Sequence, residues 1–402
     1  MNTNRLYRLT CGVRHYSWGD RGTPERPPFI AALLGVPADG QPFAELWMGA
    51  HPSLPATVAD WPGAPRLDAL IREQPELLLG HRPAGDGGAS LPFLLKVLSC
   101  AQPLSIQAHP DRALAACLHA RAPQHYPDAN HKPEIAVALT PFEALAAFRP
   151  QDEVLADVRR LPALARFFAA VPAGPGWLRQ AYGRVFTASA AEVAAALHGV
   201  AACLREGHGQ TPHDRLFSRC VDLFPRDRGA LSVYFLNSFC LQPGEAIYLP
   251  PNEPHAYMAG TIAECMAASD NVVRAGLTSK HVDVEVLLGM LTYRQGRLPV
   301  QRGSETEAGT RRYRVPASEF QVELRDFTAP AVVASGANVS LLLVLEGELR
   351  VATSAWESTA ARGTVLLWPA AVPTLRVQPQ SGSGRWVRAF PGPGTTPGSD
   401  PS

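Results

Sequence analysis

The chain has 402 residues, of which 46% are hydrophobic and 18% are charged, and its formal net charge at pH 7 is +1. This length and composition predict a globular protein of two or three domains with a large core. A nearly neutral chain has no basic footprint for nucleic acid and no polybasic segment for an anionic membrane, so we expect any anionic partner to be small and bound locally.

The composition also bears on the cellular compartment. No apolar run approaches the roughly 20 residues needed to span a bilayer, and the first residues lack the apolar region of a secretory signal. The seven cysteines are scattered and include no Cys-x-x-Cys pair, which argues against a disulfide framework and against a thiolate metal site. We therefore expect a cytoplasmic protein.

The first strongly patterned segment spans residues 91–110, where two short apolar runs separated by a turn at 101–103 predict two strands. In a strand, alternate side chains share a face, so Ser105, Gln107 and His109 should point to the same side. A helix is predicted directly afterwards, with Asp111 as its N-cap.

The middle of the chain changes character. Residues 141–225 are rich in Ala, Leu, Arg and Glu with helical spacing, most clearly at 152–160 and 190–204. Strand patterns return from Ala230 and dominate again beyond Tyr313. These alternating compositions predict a β-barrel or β-sandwich with helices inserted into it. The predicted units are one β domain from residues 1–140 and 226–310, a helical insert at 141–225, a second β domain at 311–390 and a disordered tail at 391–402.

Four polar side chains from separate segments form a candidate metal site. Gln107 and His109 lie on one strand face, Glu134 follows in a segment that prolines keep extended, and His255 ends a turn-rich run. Mixed nitrogen and oxygen donors suit Zn²⁺ with an open position, although Fe, Co or Mn also fit. One carboxylate and three neutral ligands leave a net positive charge, which favours Lewis-acid chemistry. We assign these other histidines to structural roles: His15, His51, His119, His125 and His131.

A second candidate site is the polar segment 264–280. Arg274 and Lys280 are suited to an anionic group, while Asp270 and Asn271 can orient hydroxyls. The structural alternative is a loop braced by an Asp–Arg ion pair.

Several motifs in this order resemble those of type I mannose-6-phosphate isomerases, also called phosphomannose isomerases. They are the segments 16–19, 107–111, 130–134, 254–257 and 269–280, and the resemblance extends from about residue 7 to residue 288. The stretch 244–255 also resembles the second cupin motif, with Asn252 where the motif has glycine. Because asparagine tolerates the left-handed backbone conformation better than most residues, we expect the turn to be kept.

The resemblance implies a mainly β fold of cupin (jelly-roll) β-barrels with an inserted α-helical domain. The β domain of residues 1–140 and 226–310 would be the catalytic cupin domain, and residues 311–390 a cupin-like β domain. The implied reaction interconverts mannose 6-phosphate and fructose 6-phosphate through a cis-enediolate, with one zinc ion per chain, and we expect a monomer. The zinc ligands carry over to Gln107, His109, Glu134 and His255, and the site arginine to Arg274.

The remaining roles follow from what this reaction needs. A base must exchange the proton, and Lys132 and Glu264 are both candidates that the sequence leaves open. The phosphate needs cationic and hydroxyl donors, which points to Ser105, Lys96 and Lys280, although a lysine in an apolar strand can instead extend to the surface. For the walls facing the sugar the aromatic candidates are Trp18 and Tyr257, with core packing as the alternative.

Two other functions compete with the isomerase. A set of two histidines and one carboxylate with open positions is also the arrangement of non-haem iron, so a cupin Fe(II) dioxygenase is one alternative. A non-catalytic cupin that binds sugar phosphates is the other. The presence of Lys132, Glu264 and Arg274 argues against a pure binder, which needs no acid–base groups.

Overall fold

The computed structural model describes residues 4–80, 89–207, 211–380 and 382–392. Of the predicted tail at 391–402, residues 393–402 lie outside this description. The N-terminal segment contains the strands β1 (Tyr7–Thr10), β2 (Gly12–Arg14), β3 (Glu45–Met48), β4 (Thr57–Val58), β5 (Phe93–Cys100), β6 (Ile106–Ala108), β7 (Glu134–Ala138) and β8 (Phe142–Phe148). Its helices are α1 (Phe29–Leu34), α2 (Leu67–Glu73), α3 (Pro75–Leu79) and α4 (Arg112–Arg121).

The predictions for residues 91–119 are confirmed. Strands β5 and β6 are the two expected strands, and α4 follows them. The carboxylate of Asp111 caps α4, because it accepts a hydrogen bond of 2.9 Å from the backbone N–H of Leu114.

Helices make up the next region, as the sequence predicts. They are α5 (Gln151–Arg160), α6 (Pro162–Phe168), α7 (Trp177–Thr187), α8 (Ala190–Arg205) and α9 (Pro212–Leu223). Strand β8 lies inside the span 141–225, so the helices begin only at Gln151. Within the described ranges no single helix is long and apolar enough to cross a bilayer; the bent pair α7 and α8, at 109° to each other, passes that test only by combined length and composition.

The third region adds strands to the sheet that contains β5 and β7. It contains a 3₁₀ helix (Arg228–Tyr234), β9 (Leu236–Leu241), β10 (Ala246–Leu249), β11 (His255–Ala267), β12 (Val273–Gly276) and α10 (Val284–Met290). The prediction of strand from Ala230 is wrong for the first six residues, because the 3₁₀ helix extends to Tyr234 and β9 begins only at Leu236. Asp227 accepts a 2.7 Å hydrogen bond from the backbone N–H of Gly229 and starts a helical turn there. The apolar run that follows is buried on every side, so its pattern did not distinguish helix from strand.

The C-terminal region is all β. Its strands are β13 (Ser304–Glu307), β14 (Thr310–Arg312), β15 (Gln321–Phe327), β16 (Ala331–Ala334), β17 (Ser340–Glu346), β18 (Glu348–Ala352), β19 (Glu357–Ala361), β20 (Val365–Trp368), β21 (Thr374–Pro379) and β22 (Gly384–Phe390). Eight strands form one sheet in the order β13-β14-β15-β22-β17-β20-β1-β4, and β16-β21-β18-β19 form another. Because β1 pairs with β20, the N-terminal strand belongs to the C-terminal sheet.

The site-bearing sheet is organised by the long strand β11. Its C-terminal half pairs with β5 and β7, and its N-terminal half pairs with β6 and β8. Between the halves lie a register shift at Tyr257/Ala259 and Gly260, whose φ is 108°. A Cβ at Gly260 would lie 2.4 Å from the carbonyl oxygen of Pro141, so only glycine allows this approach. The bend therefore turns one strand into a member of two facing layers.

Alternation along the central strands separates the site from the core. Lys96 on β5 lies opposite Glu264 on β11, and both side chains point to one face. Their neighbours Val97, Cys265 and Ile135 point to the other face and join an apolar core shared with the C-terminal sheet. The face that carries Lys96 and Glu264 is thus backed by a core that includes side chains of the C-terminal strands.

Candidate metal centre and active site

Two histidines and a carboxylate meet on the inner face of this sheet. His109 follows β6, Glu134 begins β7 and His255 begins β11. The His109 Nε2 lies 3.3 Å from Glu134 Oε1, and the His255 Nε2 lies 3.4 Å from Glu134 Oε2. One ligand atom from each residue lies within 4.8 Å of the others, and all three side chains are buried. The sequence therefore correctly predicts that these three residues converge.

Backbone carbonyls hold both imidazoles with Nε2 facing the centre. The Nδ1–H of His109 donates to the carbonyl oxygen of Asn271 at 2.7 Å, and that of His255 donates to the carbonyl of Glu253 at 3.1 Å. Such outer contacts fix the tautomer that leaves Nε2 as a lone-pair donor. Both rings are therefore presented as ligands.

The donor set fits a metal ion. Among the described residues, His109 Nε2 and Glu134 Oε2 are buried polar atoms with no hydrogen-bond partner. Leaving a buried polar atom unpaired costs about 1–3 kcal/mol, so such atoms call for a ligand. Two imidazole nitrogens and a carboxylate suit zinc, which takes a further ligand and keeps an open position in catalytic sites.

Protonation also favours metal binding. Burial lowers the pKa of His109 to about 4, so the imidazole is neutral near pH 7. Burial alone would raise the pKa of Glu134, but lowering effects, the largest of which is the charge of Lys132, outweigh it and hold that pKa well below its ordinary value. The Lys132 ammonium lies 3.1 Å from Glu134 Oε1. The cluster thus presents a neutral imidazole nitrogen of His109 and a carboxylate anion of Glu134.

Gln107 and Arg274 extend the cluster in a row across three strands. Gln107 on β6 lies directly opposite His255 on β11 and directly opposite Arg274 on β12. Directly opposed residues share a face, so all three side chains point to the site. The Gln107 amide nitrogen is placed 3.4 Å from His255 Nε2, and turning the amide over by 180° would offer its oxygen at the same point. Gln107 is therefore a candidate for a fourth ligand.

Arg274 carries a charge without a protein partner. Its side chain is half-buried, burial lowers its pKa, and within the described chain no ion pair or hydrogen bond engages its guanidinium. The alternative of an Asp–Arg brace is wrong, because Asp270 contacts His51 instead, at 3.3 Å from Nε2. An unpaired, half-buried guanidinium on the site face is suited to a negatively charged ligand.

A second group of charged side chains, around Lys96 and Glu264, lies beside the metal cluster on the same sheet face. The Lys96 ammonium is 3.4 Å from Glu264 Oε2 and 3.8 Å from Glu45 Oε1, and it lies over the Trp47 ring at 4.9 Å. The Tyr257 hydroxyl donates to Glu264 Oε1 at 2.8 Å. Burial and the charge on Glu134 raise the pKa of Glu264. A carboxyl group with a raised pKa near a metal cluster is suited to accept and return protons.

Comparison with known proteins identifies the family. The phosphomannose isomerase type I catalytic domain matches residues 6–151. Mannose-6-phosphate isomerase 1 of Arabidopsis thaliana is 39% identical over 391 residues, covering 91% of this chain and 90% of that protein. The chain belongs to the mannose-6-phosphate isomerase family.

Further relatives agree with this membership. The human mannose-6-phosphate isomerase is 34% identical over 385 residues, covering 88% of this chain and 90% of its own length. A zinc-bound crystal structure of a mannose 6-phosphate isomerase superposes with a TM-score of 0.86 at 28% identity, covering 96% of this chain and 100% of that one. A variant of the phosphomannose isomerase from Salmonella typhimurium gives the same values.

Two of the residues predicted to bind substrate are engaged in holding this isomerase fold. Asn271 is fully buried, and its amide nitrogen donates to the carbonyl oxygens of Asp128 and Asn130 at 2.7 and 2.9 Å. Tyr257 is 2% exposed and holds Glu264. Since neither side chain faces open solvent, both orient their neighbours in this structure.

The other predicted substrate residues lie around the rim or are paired. Trp18 is half-buried and stacks on Tyr16 at 5.5 Å, and Ser105 is half-buried beside β6. Lys280 is exposed, beyond the end of β12. Lys96 does not reach the surface, because its side chain is only 7% exposed between its two carboxylates. The alternative of a surface lysine is therefore wrong.

Sequence reasoning missed four residues of this isomerase site. Glu45 and Trp47 flank Lys96, His51 holds Asp270, and Asp128 accepts hydrogen bonds from the loop 269–271. A signal for Glu45 existed, because a lysine inside an apolar strand needs a buried counter-charge. His51 and Asp128 stand in turns whose pairing only the fold reveals.

Proposed function

We propose that the chain is a zinc-dependent aldose–ketose isomerase that interconverts mannose 6-phosphate and fructose 6-phosphate. The single observation that carries this is the buried cluster of His109, Glu134 and His255, with two ligand atoms that lack hydrogen-bond partners, in a chain of this family. Gln107 completes the proposed ligand set. When bound, zinc supplies Lewis-acid stabilisation of negative charge on the sugar oxygens.

Arg274 is proposed to stabilise the charge that develops during the reaction. Moving a proton between C1 and C2 creates a cis-enediolate, whose oxygens carry negative charge. A guanidinium stays charged at any pH of interest and presents several donors in a fixed geometry. The unpaired Arg274 on the site face is in position to meet such an anion, and its half-buried setting strengthens the interaction.

Glu264 is proposed to exchange the proton, with Lys132 as a cationic donor. The two oxygens of Glu264 are held by Tyr257 and Lys96, and its raised pKa brings it nearer to neutral pH. Lys132 forms an ion pair with Glu134, which holds the Lys132 ammonium beside the metal cluster. Glu264 and Lys132 lie in the same cluster of charged side chains, so a single sugar molecule can contact both.

The substrate phosphate is proposed to lie towards the rim of the site. Lys280 and Ser105 provide an exposed ammonium and a half-buried hydroxyl there, and Trp18 provides an aromatic wall. The hydrogen bond with His51 lowers the pKa of Asp270, which keeps that carboxylate charged for sugar hydroxyls. We propose that Asn271 positions His109 through its own carbonyl oxygen.

We also propose cupin-type jelly-roll barrels for the two β domains, with the domain limits predicted from the sequence. The facing layers formed around β11 support this, as does Asn252, whose φ of 64° is left-handed in the cupin-like turn. A monomeric, cytoplasmic enzyme with a small-molecule substrate is part of the same proposal. Size-exclusion chromatography and cell fractionation test those two points.

A coupled assay tests the reaction directly. The purified protein should convert mannose 6-phosphate into fructose 6-phosphate, chelation should stop turnover, and added zinc should restore it. Absence of turnover with restored zinc would refute the proposal. The comparisons do not favour a cupin Fe(II) dioxygenase or a pure binder, and oxygen consumption with bound iron is the result that would revive the former.

A further inference from the structure

A carboxylate of the C-terminal domain lies against both segments that carry the metal-binding residues. Glu319, in the loop between β14 and β15, is 7% exposed. Its Oε1 accepts a hydrogen bond from the Nε2–H of His131 at 2.8 Å and one from the Nη2 of Arg112 at 2.5 Å. These two donor nitrogens are 3.0 Å apart. One oxygen atom thus holds two donors that would otherwise face each other.

The two donors are close in sequence to the proposed ligands. Arg112 lies three residues after His109, in the first turn of α4. His131 lies three residues before Glu134 and next to Lys132, whose ammonium contacts Glu134. Glu319 therefore joins two segments that approach the metal centre from different directions.

The loop that carries Glu319 is itself fixed. The Gln321 amide donates to the carbonyl oxygens of Val315 and Phe320 at 2.8 and 3.0 Å. Phe320 is fully buried in the apolar core shared by the two β domains. The backbone N–H of Gly392 donates to the carbonyl of Ser318 at 3.1 Å. A loop that is fixed on both sides can hold the position of a carboxylate to within a fraction of an ångström.

The charge of Glu319 matches this role. Burial would raise its pKa, but the hydrogen bond and charge of His131, together with the charge of Arg112, lower the pKa to about 2. The group is therefore an anion at neutral pH. Removing it would leave the guanidinium of Arg112 and the imidazole of His131 adjacent without a common acceptor.

We propose that Glu319 is a positioning residue. It fixes the segment before β7 and thereby keeps the Lys132 ammonium in contact with Glu134 at the metal centre. This gives the C-terminal domain a part in catalysis, and it rests on the proposed isomerase function. Glu319 contacts neither Glu134 nor Lys132 itself, so its effect passes through His131.

The test is a double-mutant cycle with Lys132. We expect Glu319→Ala to lower kcat about tenfold with little change in KM, because a small displacement of a catalytic group is costly. Glu319→Gln keeps an acceptor oxygen and should restore most of that loss. In a Lys132→Ala background, Glu319→Ala should have almost no further effect on kcat, since the group it positions is already gone.

Controls separate this from general destabilisation. Glu357→Ala breaks a half-exposed ion pair with Arg350 in the same domain, whose atoms are 2.7 Å apart, and it should keep wild-type kcat. If Glu319→Ala does not fold, Glu319→Asp keeps the charge, shortens the reach by one methylene group and must still lower kcat. Equal kcat for the Glu319 and Glu357 variants, or an undiminished effect in the Lys132→Ala background, overturns the proposal. Wild-type turnover in the same assays tests the isomerase function separately.

Discussion

Single residues at this site differ in how their charges are balanced. Lys96 is held between two carboxylates, whereas Arg274, on the same inner face, has no partner within the described residues. A buried and paired charge is a structural element, and removing its partner is costly. An unpaired and half-buried charge is available to a ligand. The two cations should therefore respond differently to substitution.

Replacing Arg274 should remove activity and leave the metal in place. We expect Arg274→Ala to lower kcat by about 10²–10³, the usual loss for one group that stabilises a developing anion. Zinc content should stay at the wild-type value, because the guanidinium is not a ligand. Steady-state kinetics together with metal analysis check both points. Loss of zinc would mean that Arg274 supports the metal ligands instead.

Replacing Lys96 should destabilise the fold. In Lys96→Met, the carboxylates of Glu45 and Glu264 lose the cation between them, which we expect to cost about 3 kcal/mol. Urea unfolding at neutral pH measures this. Lys280→Met is the matched control, because that side chain is exposed and its loss should change stability by less than about 0.5 kcal/mol. Equal stability of the two variants would contradict a structural role for Lys96.

At the scale of elements, the turn before β11 sets the direction of His255. Asn252 adopts a φ of 64°, its amide nitrogen donates to Asp111 Oδ2 at 2.8 Å, and its backbone N–H donates to the carbonyl of His109 at 2.7 Å. The residue thus joins the turn to the N-terminus of α4 and to a proposed ligand. The sequence-based expectation that asparagine would keep this turn is confirmed.

The two functions of Asn252 can be separated by substitution. Asn252→Gly keeps the left-handed backbone and loses the side-chain contact with Asp111, whereas Asn252→Ala loses the contact and is also strained. We expect the alanine variant to be about 1–2 kcal/mol less stable than the glycine variant. Chemical denaturation of both variants measures the difference. An alanine variant as stable as the glycine variant would contradict a strained backbone at this position.

Sequence patterns predict elements best where local signals agree with the fold. Asp111 at the start of α4 and the apolar runs that form β5 and β6 are local signals, and both were predicted correctly. The 3₁₀ helix ending at Tyr234 was not predicted, because a run of residues that is buried on every side shows no hydrophobic periodicity. The four candidate ligands could be named from short local segments and from the resemblance of these segments to the motifs of the family. The sequence indicates that Lys96 needs a buried counter-charge. It does not show that Glu45 supplies this charge or that His51 contacts Asp270, since these contacts depend on pairing between distant segments.

At the scale of the whole molecule, the N-terminal and C-terminal β regions are joined more closely than the sequence suggests. Strand β1 completes the C-terminal sheet, and the core between the sheets contains side chains from both domains. No local pattern in residues 7–10 predicts a partner more than 350 positions away. The C-terminal domain is thus part of the structural support of the site.

The Glu319 contact should make the joint between the domains sensitive to acid. The pKa of Glu319 is lowered from 4.5 to about 2, so its stabilising effect is complete above pH 4.5 and is lost as the pH falls towards 2. The stability difference between wild type and Glu319→Gln should therefore shrink over that range. Urea midpoints measured at a series of pH values provide the test. A difference that does not vary with pH would contradict an ionised Glu319 in the folded state.

The central claim is that one zinc ion, held by Gln107, His109, Glu134 and His255, enables this chain to isomerise mannose 6-phosphate. Titrating metal-free protein with zinc while following fructose 6-phosphate formation tests it most directly. Activity should rise linearly and level off at one zinc per chain, and His255→Ala should neither retain zinc nor gain activity. Full turnover by metal-free protein, or a His255→Ala variant that is active with one bound zinc, would contradict the account.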